Sequence, residues 1–231
     1  MTPNEMNIAA KATCSWLSYK SLTGFERFLS EAMLKVPISE YLATQTTWVL
    51  KTELGYRHLP GSEGLKSFYC DFAGARKYGS GAIRLLLETK YLKRSIDSVA
   101  KHLAADVIRL SLPRHRSMTR LFLLAGRSNN FNSKKKDFLF DRMFRLQLGK
   151  GCDISFGEAI TSADFLKSYP IYENPIELTN GNFVRPISAY VQCRSVQEFP
   201  SSDNGFKVMI WSVASAKLEA LRPPSAAIST T

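Results

Sequence analysis

The chain has 231 residues, with 31 Lys and Arg against 20 Asp and Glu, a formal net charge of +11 and a pI of about 9.6. Hydrophobic residues make up 45% of it, which suits one globular α/β domain with room for an appended subdomain, and no apolar run is long enough to span a bilayer. Such a positive excess favours a polyanionic partner, nucleic acid first. A membrane surface is disfavoured, because no basic helix with an apolar face stands out. Residues 1–13 lack the basic start and apolar stretch of a signal peptide. The chain carries no phosphate-binding loop, dinucleotide fingerprint, Gly-x-Ser-x-Gly or His-Glu-x-x-His. Cys14, Cys70, Cys152 and Cys193 are far apart and show no zinc spacing, which predicts reduced thiols of a cytoplasmic protein, with Cys70 and Cys193 on strands.

In chain order, residues 2–7 are polar and read as mobile. A short helix is expected over 9–19, with Trp16 and Leu17 packing. Phe25, Phe28, Leu29, Ala32, Met33 and Val36 then recur at helical spacing, and Pro37 is expected to kink or end that helix. A second segment over 39–44 would start on Ser39 as N-cap, with Glu40 in its first turn. Residues 46–54 are β-rich and read as the first strand, with Glu53 near its end. Residues 56–64, including an isolated His58, read as a loop.

The informative stretch follows. Residues 66–73 and 83–91 read as two strands joined through a Gly-rich segment at 74–81, which makes a hairpin. The second strand is mostly apolar, with Arg84 near its start, until Glu88-Thr89-Lys90. Side chains alternate along a strand, so Glu88 and Lys90 share a face. A carboxylate and an ammonium at the end of an apolar strand are costly to bury unless paired, by a metal ion with its water or by a structural ion pair. Asp71 is the only carboxylate of the preceding strand, and neighbouring strands lie roughly 5 Å apart. Asp71 and Glu88 could therefore flank one divalent cation, with Lys90 facing its water.

Lys93 and Arg94 continue the basic character. Ser95 can cap the next helix, whose stripe is Ile96, Val99, Ala100, Leu103, Val107 and Leu110. Asp106, Arg109 and His102 lie off the stripe and read as solvated. Residues 119–126 form a continuous apolar strand, and strand–helix–strand order predicts a parallel, right-handed crossover. The basic loop 127–136, with Arg127, Lys134, Lys135 and Lys136, is the best candidate for phosphate contacts. A helix is expected over 133–148, ended by Gly149 and Gly151, with Phe138, Leu139, Met143 and Leu146 inward. Residues 165–186 read as loops, 186–196 and 206–213 as strands of a hairpin, and 222–231 as a disordered tail. The division expected is one domain over 1–221, with a core at about 25–148 and a β-rich extension over 149–221.

Over roughly residues 25–126, this order and the residues Asp71, Glu88 and Lys90 resemble the PD-(D/E)xK nuclease superfamily, with Cys70 where that motif has its Pro. The resemblance implies a restriction-endonuclease-like fold, a three-layer core with a mixed central β-sheet flanked by helices. It also implies a Mg²⁺-dependent nuclease (Mn²⁺ substituting) that hydrolyses phosphodiesters, those of DNA first. Asp71 and Glu88 would ligate the metal, a helical Glu would complete the site, and Lys90 would serve the attacking water. Glu31 and Glu40 compete for the helical place. Glu31 is favoured because it lies further from the next strand and Glu40 is already explained at a helix start. Lys93, Arg94, Arg127 and Lys134 to Lys136 would hold nucleic acid. A bacterial or phage-encoded enzyme, dimerising to cut both strands, fits this picture. The alternative is a non-catalytic nucleic-acid-binding or phage structural protein on the same fold.

Overall fold

A computed structural model describes residues 1–45, 47–55, 69–112, 117–132, 141–156, 176–177, 183–200 and 204–221. It is a mixed α/β structure built on one nine-stranded sheet. Strands β1 (Trp48–Gly55), β2 (Tyr69–Arg76), β3 (Ile83–Leu92) and β4 (Thr119–Arg127) lie side by side in that order. Beyond β4 come β8 (Phe206–Val213), β7 (Phe183–Phe199) and β5 (Gly151–Ser155). Short strands β6 (Ile176–Glu177) and β9 (Lys217–Leu221) pair with β7. The expected hairpin is present as antiparallel β2 and β3, and β3 runs parallel to β4, as the strand–helix–strand order predicts. The second expected hairpin joins β7 to β8, and β8 lies directly against β4.

Alternation on the strands separates two cores. Leu85, Leu87, Leu121, Leu123 and Ile210 pack on one face under α1 (Pro3–Leu22) and α2 (Glu31–Gln45). Leu86, Phe122, Leu124, Met209 and Trp211 pack on the other with α3 (Ala100–Ser111) and Met143 of α4 (Asp141–Phe144). Burying apolar side chains on both faces of a sheet is what forces helices onto both faces.

Four expectations are corrected. Residues 2–7, read as a polar terminus, instead cap and open α1: Thr2 Oγ1 accepts from the Glu5 N–H at 3.2 Å while the Glu5 carboxylate accepts from the Thr2 N–H at 2.6 Å. That reciprocal capping box, followed by Pro at the first helical position, starts the helix. The pattern over 25–36 does not make one helix. Glu26–Phe28 is a 3₁₀ turn that leaves Phe25 and Phe28 exposed, and α2 begins at Glu31.

Pro37 sits inside α2 instead of ending it, and Ser39 is no N-cap: its hydroxyl donates back to the Lys35 carbonyl at 2.5 Å. Buried Leu34, Ile38 and Leu42 hold the helix together around a proline whose lost hydrogen bond packing offsets. Asp106 and Arg109 are not solvated. Asp106 is only 5% exposed, and both turn toward the end of β3. The Ser95 cap is present on a 3₁₀ turn, Ile96–Ser98, just before α3, and His102 is exposed as expected. His58, Lys134 to Lys136, Phe138, Leu139, most of the 165–186 stretch and the tail lie outside the described residues.

Candidate functional site

The hairpin opens where its polar residues begin. The β2–β3 ladder ends at Phe72 and Leu87, after which β3, among the described residues, continues paired to β4 alone, with Glu88 opposite Phe122 and Lys90 opposite Leu124. A strand that loses a neighbour leaves backbone donors to be satisfied otherwise. Asp71 does this. Its Oδ2 accepts from the Thr89 N–H at 2.8 Å and from the Thr89 hydroxyl at 2.9 Å. Thr89 is the middle residue of the Glu88-Thr89-Lys90 triplet, so the β2 carboxylate is fastened to the β3 motif.

Both helical layers send charges to this opening. From α2, the Lys35 ammonium lies 3.1 Å from Asp71 Oδ1 and also pairs with Glu53 of β1. One turn earlier on the same helix, Glu31 lies 2.9 Å from the Lys90 ammonium. From α3, Asp106 Oδ2 is 3.3 Å from Lys90, and Arg109 joins Asp106 to Glu88, lying 3.4 Å from Glu88 Oε1. Among the described residues, the carboxylates of Glu31, Glu53, Asp71, Glu88 and Asp106 share the cations of Lys35, Lys90 and Arg109.

Burial and mutual charge tune these groups. The Glu31 carboxyl is pushed above its usual range by burial, which outweighs the pull of Lys90, with smaller repulsion from Asp71 and Asp106. Burial likewise raises Asp106 against the pull of Arg109 and Lys90. Burial works to lower Lys90, yet Asp106 and Glu31 overcome it and raise the ammonium above its usual range. Lys90 is therefore fully protonated at neutral pH and acts as a donor. Burial also raises the Cys70 thiol well above its ordinary value, with Glu88 adding to it, so this cysteine is a packed thiol and not a nucleophile.

Of the two helical carboxylates in competition, Glu31 reaches Lys90, while Glu40 lies exposed further along α2. Asp71 and Glu88 lean to different helices, the first toward Lys35 of α2 and the second toward Arg109 of α3. No three Asp, Glu, His or Cys side chains among the described residues converge into a ready metal cage. Arg127 is committed within the fold: its guanidinium holds Glu26, Ser21 and the Asn204 carbonyl and covers the Phe206 ring at 4.3 Å. Lys93 and Arg94 are exposed. Lys35, Asp106 and Arg109 are the participants that pattern reading left out. The signal for Asp106 and Arg109 was a pair of charges three residues apart on the α3 stripe's own border, within reach of a strand ending in charge. Comparison with known proteins finds no matching protein family, curated protein or solved structure. No described helix is long and apolar enough to cross a membrane.

Proposed function

We propose that the protein is a metal-dependent nuclease that hydrolyses phosphodiester bonds, those of DNA first, on a restriction-endonuclease-like core. The observation that carries this reading is the meeting of Glu31, Asp71 and Lys90, brought by a helix and two strands, where the hairpin parts: Asp71 is bonded to Thr89, between Glu88 and Lys90, and Lys90 to Glu31, while Glu88 turns to Arg109. A helix, three antiparallel strands, a helix and a parallel strand in that order add support.

The donor set fits a hard divalent cation, since Asp71, Glu88 and Glu31 offer carboxylate oxygens, and Asp71 adds to the rise that burial imposes on the Glu31 carboxyl. Those three would hold Mg²⁺ or Mn²⁺, which when bound lowers the pKa of water and offsets charge on a phosphate. Mg²⁺ sites commonly use one or two carboxylates with substrate oxygens and waters, so a preformed three-ligand cage is not required. Lys35 holds a carboxylate oxygen of Asp71 that a divalent cation would use, so the two would compete for it. Lys90, held as an ammonium by Glu31 and Asp106, would orient the attacking water and stabilise charge building on the phosphate. Asp106 and Arg109 are positioning residues behind Lys90 and Glu88. Lys93, Arg94 and Lys134 to Lys136 would hold the phosphate backbone.

The experiment is incubation of supercoiled plasmid and labelled oligonucleotides with the protein and Mg²⁺ or Mn²⁺, beside Lys90→Ala and Asp71→Asn. Cleavage that needs the metal and drops by at least about 100-fold in both variants is expected, in the range of lost acid–base or electrostatic catalysis. A second reading, a nucleic-acid-binding protein without catalysis, is favoured by the internal pairing of Asp71 with Lys35 and Lys90 with Glu31. Salt-sensitive binding with no nicking by the wild type would select it.

A further inference from the structure

We propose that an aromatic patch beside this site binds unpaired nucleic-acid bases, so that the substrate is single-stranded or locally opened. The patch is built from the end of α1 and the 3₁₀ turn after it. Tyr19, Leu22, Phe25 and Phe28 are all exposed, Phe25 at 49% and Phe28 at 54%. Large apolar groups grouped on a surface mark an interaction site more often than scattered ones do. These are also interleaved with cations. Lys20 lies 5.9 Å from the Tyr19 ring and 5.4 Å from the Phe25 ring, Phe25 and Phe28 are 6.0 Å apart, and Arg27 sits 4.8 Å over Phe28.

The patch is fixed in place. Arg127 reaches across from the end of β4 to Ser21 at 2.8 Å and to Glu26 at 2.8 Å, on either side of the turn. Glu26, the acid within the patch, is held below its usual range chiefly by that hydrogen bond, so its charge is answered by Arg127. A rigid surface binds without first being ordered.

The occupant follows from the chemistry. Rings with cations between them offer stacking and phosphate contact at once, the combination that holds single strands without sequence preference. In a duplex the base faces are already stacked on one another and cannot reach the rings. The net charge of +11 agrees with a polyanion. The patch also leads into the charged opening. Phe28 is followed three residues later by Glu31, and Arg127 is three residues beyond Leu124, the partner of Lys90, or about 10 Å along the strand. Binding by the patch stands alone; its place as the substrate's approach to the cutting residues rests on the nuclease reading.

The test is fluorescence anisotropy in EDTA, where metal-dependent cleavage cannot occur. The probes are a labelled 20-nucleotide (about two helical turns) thymidine strand, a blunt duplex of equal length, and vesicles of phosphatidylglycerol and phosphatidylcholine. Wild-type protein is expected to bind the single strand about tenfold or more tightly over the duplex. Phe28→Ala is expected to weaken it by about tenfold, the loss of one stacked base, while Phe28→Tyr keeps the ring and stays within about twofold. Equal affinity for both nucleic acids, unchanged binding by Phe28→Ala, equal weakening by Phe28→Tyr, or binding to vesicles alone would each overturn the proposal. Ring-dependent single-strand binding without cleavage on adding Mg²⁺ would bear out the patch and defeat only the nuclease reading.

Discussion

Replacing Lys90 by methionine keeps the length of the side chain and removes the ammonium between Glu31, at 2.9 Å, and Asp106, at 3.3 Å. Removing one partner of a buried pair costs about 3–5 kcal/mol, because the other charge stays buried without compensation. Here Arg109 still pairs with Asp106, and the Glu31 side chain is 38% exposed, so water screens part of the loss. About 2–3 kcal/mol is therefore expected near pH 7.5, or a melting point lower by about 4–12 °C for a chain of this size. The loss should depend on pH in a stated direction. Both carboxyls have folded-state values raised above the unfolded ones, so protonation favours the fold, and without Lys90 they rise further. The variant then recovers as pH falls through those raised values, at up to about 1.4 kcal/mol per pH unit for each proton. Toward alkali, the Lys90 contribution is complete below its unfolded value of 10.5 and fades only as pH rises through its higher folded value. Urea denaturation of both proteins across this acid-to-neutral range reads the difference. A difference below about 0.5 kcal/mol at pH 7.5, or one that stays flat into acid, would refute the network as described.

Thr89→Val keeps the shape of a fully buried side chain but deletes the hydroxyl that donates to Asp71 at 2.9 Å, leaving only the backbone N–H. About 1–2 kcal/mol of stability should be lost in urea denaturation, and an unchanged midpoint would mean Asp71 is held by other groups. Gly126→Ala places a Cβ 2.7 Å from Leu92 Cβ and 2.9 Å from the Leu92 carbonyl oxygen, where β3 and β4 end together. Since part of the obstacle is backbone, the cost should be about 1–3 kcal/mol in a thermal melt, and a melt at the wild-type temperature would show that the two strands part freely there.

The parts of the fold that periodicity specifies were legible in the residues. The hairpin carrying Asp71 and Glu88, the parallel partner of β3 and the closing β7–β8 pair follow from apolar runs and turn residues. The early helices were not, for local reasons. Met6, Ala9, Ala10, Cys14 and Leu17 bury one side of α1, but small and polar residues dilute that stripe, and the Thr2-x-x-Glu5 box at its start is easily taken for a polar terminus. In α2 a proline overrides the pattern because Leu34, Ile38 and Leu42 pack on both sides of it. At the site, the family resemblance, not alternation, pointed to Glu31, and strand alternation put Glu88 and Lys90 on one face. It gave no sign of Asp106 and Arg109, whose roles depend on how α3 lies against β3, or of Lys35, which takes the oxygen of Asp71 that a metal would need.

Three departures from regular strand geometry coincide at this place. On β1, Glu53 has a φ of 53°, in the left-handed region that costs a non-glycine residue about 1–2 kcal/mol, and the ladder passes from Thr52–Phe72 to Leu54–Cys70 around it. On β2, Cys70 and Phe72 are two residues apart yet pack in opposite cores, so alternation breaks at Asp71 between them. On β3, pairing with β2 stops at Leu87, immediately before Glu88. A sheet built only for stability would continue its ladder here, since each break forgoes hydrogen bonds and gathers carboxylates that repel. Strain of this kind persists where the surrounding structure imposes it, and such places cluster at functional sites. The ammonium groups of Lys35 and Lys90 make the gathering tolerable, and Lys35 joins Glu53 to Asp71, so the bent backbone of Glu53 sits where one cation holds β1 and β2 together; under the nuclease reading proposed above, a divalent cation would compete for the same carboxylates.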